Sequence, residues 1–139
     1  MRIFLYYIGK PRDEHANGMA EEYIRRVSRF ARAEMREIQP ARFDPWEKHS
    51  SAAKILLDPA GKAMNSQQFA QLIAKAEREG RDLVFLVGGA SGLPDSWRER
   101  GGLLVSLSAL TFPHELARVL AAEQIYRAFT MLRGHPYPK

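Results

Sequence analysis

Five consecutive apolar residues, Leu83, Val84, Phe85, Leu86 and Val87, run into the pair Gly88-Gly89. A strand of that composition has no face for water, so both sides of its sheet must be covered, as in parallel sheets layered between helices. The rest of the chain is patterned to match. Met1 to Ile8 (MRIFLYYI) is rich in β-branched and aromatic residues and stops at Gly9-Lys10-Pro11, which predicts another buried strand. From Glu14 to Phe30 the residues Met19, Tyr23, Val27 and Phe30 recur at helical spacing, one apolar stripe with the charges mostly off it. Ala33 to Ile38 suits a strand. Pro40, Pro45 and the polar mixture through Ser51 predict a loop holding one helical turn between Trp46 and Ala52.

Lys54 to Leu57 reads as a strand closing in a tight turn at Asp58-Pro59-Ala60-Gly61. Asn65, with Gln68 three positions on, is a capping-box signal for a helix that Gly80 ends. A short helical piece near Asp95 to Arg100, a strand from Leu103 to Leu107 and a long helix from Pro113 to Leu132 complete the pattern. Strands alternating with helices predict an α/β fold, one domain over residues 1–139 with a largely parallel sheet of about five strands. Ligands of such sheets gather where strands end in loops at their carboxyl edge, which directs attention to the segments after Leu57, Val87 and Leu107.

Composition removes several chemistries. There is no cysteine, so disulfides, thiolate nucleophiles and iron–sulfur clusters are excluded. A metal site would need His15, His49, His114 and His135 with carboxylates; these histidines are scattered and no metal is expected. No run approaches the roughly 18 apolar residues of a membrane span, and the first ten residues are strand-like rather than a signal peptide. No membrane association is expected, and the expected compartment is the cytoplasm. The net charge is +5, from 21 Lys and Arg against 16 Asp and Glu. It is concentrated in Arg25, Arg26, Arg29, Arg32, Arg36 and Arg42, and again near the end in Arg118, Arg127, Arg133 and Lys139. A nucleic-acid partner accounts for this distribution, and so does a solvated helix face.

Single motifs settle little. Gly88-Gly89-Ala90-Ser91-Gly92 has neither the dinucleotide spacing nor the Lys-Ser of a phosphate loop, and a strand-to-helix turn explains it as well. His114-Glu115-Leu116-Ala117-Arg118 misses the helical zinc motif because a cation stands at the second ligand position. Leu107-Ser108-Ala109-Leu110-Thr111-Phe112 could wall a flat aromatic ligand, or be an ordinary connection with Thr111 as a helix cap. Glu123 and Arg127 stand four apart, the spacing of a surface ion pair. The long helix is apolar on more than one face, which suits packing against both its own sheet and a second subunit.

Taken together, LLDPAGK (residues 56–62), FLVGGASGL (85–93), SLSALTFPHELARVLAAEQIYRAF (106–129) and the terminal HPY resemble the ribosomal RNA large subunit methyltransferase H family, small members of the SPOUT class. The resemblance spans nearly the whole chain. It implies an enzyme that uses S-adenosyl-L-methionine to methylate N3 of a pseudouridine in the 23S rRNA of the assembled ribosome. It implies a homodimer and a SPOUT-type α/β fold with a parallel-rich sheet and a C-terminal trefoil knot. Carried over by motif, the cofactor contacts fall on Leu57, Gly88, Leu107, Ser108, Ala109, Leu110, Thr111 and Phe112. Arg127 and Tyr137 become the leading catalytic or substrate-orienting residues, followed by His114 and His135. Two departures stand out: Pro138 replaces the histidine that usually follows HPY, and the region from Arg42 to Lys54 is shorter than usual. A related SPOUT enzyme with another target base, or an RNA-binding ribosome factor without catalysis, are the alternatives.

Overall fold

In the computed structural model, which describes residues 1–138, the strands are β1 (Arg2–Ile8), β2 (Arg32–Ile38), β3 (Ala53–Ala63), β4 (Leu83–Val87) and β5 (Leu103–Ser106). The helices are α1 (Glu14–Val27), α2 (Pro45–Lys48), α3 (Ser66–Glu79) and α4 (His114–Arg133), with a 3₁₀ turn at Asp95–Glu99. The strands form one parallel sheet in the order β2-β1-β4-β3-β5. β4 lies at its centre with all five residues buried, as its unbroken apolar run requires. Ile3, Leu5, Tyr7, Phe85 and Val87 face the main core under α1, α3 and α4. Phe4, Tyr6, Val84 and Leu86 face a smaller second layer closed by Ile38, Leu93 and Trp97. Lys139, the last of the basic residues near the end of the chain, lies outside the described residues.

Local sequence explains the helix ends. Asn65 and Gln68 form the reciprocal capping box, and Gly80 closes α3 in the left-handed region at φ 66°. Asp13 caps α1 by accepting from His15 N and Ala16 N at 3.0 and 3.1 Å. The buried stripe of α1 is Ala20, Ile24 and Val27, whereas Met19 is 53% exposed, so the expected stripe is rotated by about one residue. The helix ends at Val27. Phe30 lies beyond it, stacked on Phe129 with ring centroids 5.9 Å apart. Pro113 stands at the N-cap of α4 with no side-chain cap, so Thr111 does not cap this helix. The several apolar faces of α4 are largely satisfied within the chain, by the sheet core and by α1 and α3 on its two flanks.

The larger departure is in β3. The expected turn at Asp58–Gly61 is instead an outward loop within one strand: Leu57 and Lys62 both pair with Val105, and Ala63 pairs with Ser106. The turn residues let the chain leave β5 and return. Gly61 must be glycine here, since a Cβ would lie 2.6 Å from backbone atoms of Leu104 and Val105. No described helix is long and apolar enough to cross a membrane. No described group of three His, Cys, Asp or Glu could hold a metal ion.

Candidate cofactor cavity and the Arg127–Tyr137 cluster

The segments after β3, β4 and β5 meet at the carboxyl edge of the sheet around a cavity of about 240 Å³. Leu57, Gly88, Leu107, Ser108, Leu110, Thr111 and Phe112 line it, and His114 stands at its lip from the first turn of α4. Of the expected contacts, Ala109 alone is not on the wall, although it lies between two residues that are. Gly88 is a close-approach glycine rather than a positive-φ one: a Cβ there would fall 2.5 Å from Gly92 C and 2.7 Å from Leu93 N. The left-handed turn is made by Gly92, at φ 78°. The 107–112 loop holds itself in shape. Ser106 Oγ donates to Ser108 O at 2.9 Å, and Ser108 Oγ accepts from Leu110 N at 3.0 Å.

Two wall residues were not foreseen from sequence. The Asp58 carboxylate is 6% exposed, accepts from Ala60 N at 2.8 Å, and is bonded by Arg98 Nε at 2.7 Å and Nη2 at 2.5 Å. Burial pushes its pKa up, but the Ala60 amide and Arg98 outweigh this and hold it below the ordinary value. Arg98 comes from the 3₁₀ turn forty residues on, and spacing alone gives no sign of that pairing. The cavity therefore has apolar walls for a flat ring, a loop packed so tightly at Gly88 that its backbone forms part of the wall, and the Asp58 carboxylate with its Arg98 partner, an arrangement that fits S-adenosylmethionine.

The other expected residues gather elsewhere. Glu123, Arg127 and Tyr137 form one cluster on α4: Arg127 Nη2 reaches Glu123 Oε2 at 2.5 Å, and the Tyr137 hydroxyl donates to the same oxygen at 2.7 Å. The Arg127 guanidinium lies 5.3 Å from the centre of the Tyr137 ring, which meets Tyr126 edge-on at 4.6 Å. His135 turns the tail, its Nδ1 accepting from Tyr137 N at 3.1 Å. The Glu123 hydrogen bond raises the Arg127 pKa further. Burial, with hydrogen bonds to Tyr23 and Glu123, raises that of Tyr137 strongly, so its phenol keeps its proton. Spacing alone predicts a surface pair for Glu123–Arg127; the structure half-buries it and adds the tail. Ala117 is the last residue of α4 on the cavity wall, and ten residues of helix, a rise of about 15 Å, separate it from Arg127, so this cluster stands apart from the cavity of its own chain along α4.

A family model described as "Predicted SPOUT methyltransferase" matches residues 1–138. A relative named "Ribosomal RNA large subunit methyltransferase H" from Solibacter usitatus is 63% identical over 137 residues, covering 99% of both chains. Another of that name from Methylococcus capsulatus is 37% identical over 153 residues, with 99% of each covered. Among solved structures, a probable methyltransferase from Bordetella pertussis superposes with a TM-score of 0.59 at 14% identity, covering 91% of this chain and 95% of that one. A putative methyltransferase from Legionella pneumophila, described with bound cofactor SAM, gives a TM-score of 0.55 at 14% identity over 92% of this chain and 66% of that one. At such identities these two speak for the fold.

Proposed function

The chain belongs to the SPOUT methyltransferases, within the ribosomal RNA large subunit methyltransferase H family, S-adenosylmethionine-dependent enzymes of rRNA methylation; from that premise we propose that it methylates N3 of a pseudouridine in the 23S rRNA of the assembled ribosome. The observation that supports this reading is the convergence of the three strand-end loops on one cavity, with seven of the eight motif-matched cofactor residues on its wall. The family's trefoil knot, formed by the loops around that cavity, belongs to the same reading.

The active unit is a homodimer. Leu116, Leu120, Glu123, Arg127 and Met131 share one face of α4, at spacings of three and four. Leu116 and Met131 are exposed there, and Leu110 beside the helix start is 71% exposed. Pairing this face with a second copy covers those apolar groups. It also brings the Arg127–Tyr137 cluster of one protomer toward the cofactor cavity of the other, which the separation along α4 prevents within a single chain.

Bound S-adenosylmethionine supplies a methyl group on an electrophilic sulfonium. The protein's task is to present N3 as a nucleophile. Arg127, beside the imide, favours its anion, so that the N3 proton passes to water and the nitrogen lone pair becomes available. Tyr137, its one O–H held by Glu123, stays protonated and orients the base with its ring and with its hydroxyl oxygen as an acceptor; it does not take the N3 proton. Glu123 fixes both groups through one carboxylate. Apolar walls and the loop after β5 exclude water from the transfer path. Mass spectrometry of nuclease-digested rRNA after incubation with enzyme and cofactor tests the assignment: a single methylated pseudouridine is expected, and methyl on any other nucleotide overturns it.

A further inference from the structure

The cavity at the carboxyl edge is not the largest opening beside the sheet. At the amino edge lies one of about 430 Å³, floored by apolar side chains that include Leu72, Leu103 and Trp46 and bordered by Lys75, Arg81 and Arg100. Its volume is in the range of ligand sites. Trp46, Ser50 and Ala52 on its wall come from the 42–54 segment, the part of the chain shorter than in the family it resembles.

Strand starts extend this basic border. Arg32 opens β2 and pairs in register with Arg2, which opens β1; Arg81 precedes β4 and Arg100 precedes β5. In the order β2-β1-β4-β3-β5 these positions cross the whole amino edge, about 19 Å at the usual interstrand spacing. The charge is only partly cancelled. Asp82 pairs with Arg2 at 3.2 Å and Asp44 with Arg100 at 2.8 Å, and Glu79 also borders the cavity. Arg32, Lys75 and Arg81 have no ion-pair partner among the described residues. Leu103, on the floor, is 41% exposed. A cationic track beside an apolar, aromatic-edged recess is the combination that holds single-stranded nucleic acid, phosphates on the cations and a base against the apolar wall.

We propose that the amino edge of the sheet is a second RNA-contact surface, holding phosphodiester groups on Arg32, Arg81 and Lys75 and one unpaired base over Leu103, on the edge opposite the cofactor cavity. The partner class rests on the reading of the chain as an rRNA methyltransferase; the surface itself does not. It anchors the substrate away from the reacting nucleotide, so it contributes to affinity and leaves the chemical step alone.

The test is affinity for intact large ribosomal subunits and for protein-free 23S rRNA, with the methylation rate read alongside. Arg32→Glu and Lys75→Glu are each expected to weaken both interactions at least tenfold. The slope of log affinity against log salt should fall by about one or more per variant. Leu103→Glu is expected to weaken both at least fivefold. The rate at saturating ribosomes and cofactor binding should stay within twofold, which also shows that the variants are folded. Affinities within twofold of wild type for all three variants overturn the proposal. Loss on intact subunits with unchanged affinity for protein-free rRNA also overturns it, because the contact is then a ribosomal protein. If the wild type binds rRNA and the variants do not, but no methyl is transferred, the methylation reading fails and this one stands.

Discussion

Tyr137 donates its phenolic proton to Glu123 Oε2 at 2.7 Å, the oxygen that also receives Arg127 Nη2 at 2.5 Å. One carboxylate thus ties the C-terminal tail to the middle of α4 and sets the position of two groups assigned to the substrate.

If that arrangement serves the reaction, its parts fail in different ways. Arg127→Ala is expected to lower kcat by about 10²- to 10³-fold, the size of effect seen when a preorganised charge-stabilising donor is removed. Cofactor affinity should be unchanged. Tyr137→Phe should lower kcat less and raise the KM for ribosomes. Because burial and its two partners raise the phenol's pKa, the difference between ultraviolet titrations of wild type and Tyr137→Phe should show no phenolate formed near pH 10, where an ordinary tyrosine titrates. A spectrophotometric titration of the free enzyme from about pH 7 to 10.5 checks this.

Gly88→Ala is expected to damage the cofactor site selectively. Its Cβ would meet Gly92 and Leu93 backbone at 2.5 to 2.7 Å, and backbone cannot swing away as a side chain can. The 88–93 loop must move, so cofactor affinity measured by calorimetry should fall at least tenfold while ribosome affinity is retained.

The Asp58–Arg98 pair should be visible in acid. The pKa of Asp58 is depressed in the folded state, so its contribution to stability is present above the unfolded carboxylate value near 4 and is lost as pH falls through the folded value. Arg98→Ala leaves a buried carboxylate without its charged partner and should cost about 1–3 kcal/mol at pH 7. The difference in unfolding free energy from wild type should shrink below pH 4, as measured by urea denaturation at pH 7, 5 and 3.

Arg118 is 1% exposed, with its guanidinium 4.0 Å from the centre of the Tyr7 ring and Glu115 at 3.6 Å. Its Nε and Nη2 have no hydrogen-bond partner among the described residues. A buried cation so poorly satisfied is replaced at little cost by an apolar chain of similar length. Arg118→Met should therefore leave the thermal midpoint within a few degrees of wild type. Glu115→Ala, which removes the acceptor of Arg12 N and Asp13 N and the described carboxylate within 4 Å of Arg118, should lower it distinctly. Paired melting curves decide.

The local rules were legible where one short stretch carried the whole signal. The run 83–87 announced a central covered strand, and Asn65 with Gln68 announced the start of α3, because burial on two faces and a capping box are encoded within a few residues. The 58–61 loop was misread because turn residues specify a reversal but not that the chain rejoins the same neighbouring strand at Lys62. Met19 shows a similar limit: an apolar residue at helical spacing satisfies the pattern, yet the core selected the stripe one residue over. In the site, motif order pointed to the cavity wall, while Asp58–Arg98 and Tyr137–Glu123 arise from tertiary folding and leave no periodic trace. Arg118 looked like a failed metal ligand because its burial under Tyr7 depends on how α4 crosses β1.

The most direct test of the central claim is transfer of labelled methyl from S-adenosylmethionine to intact ribosomes, beside protein-free rRNA and ribosomes lacking the pseudouridines. Label confined to pseudouridine-containing ribosomes, reduced at limiting cofactor by Gly88→Ala and strongly reduced at saturating cofactor by Arg127→Ala, is the predicted result. Cofactor binding without label in any sample, or equal label in ribosomes that lack pseudouridine, would contradict it.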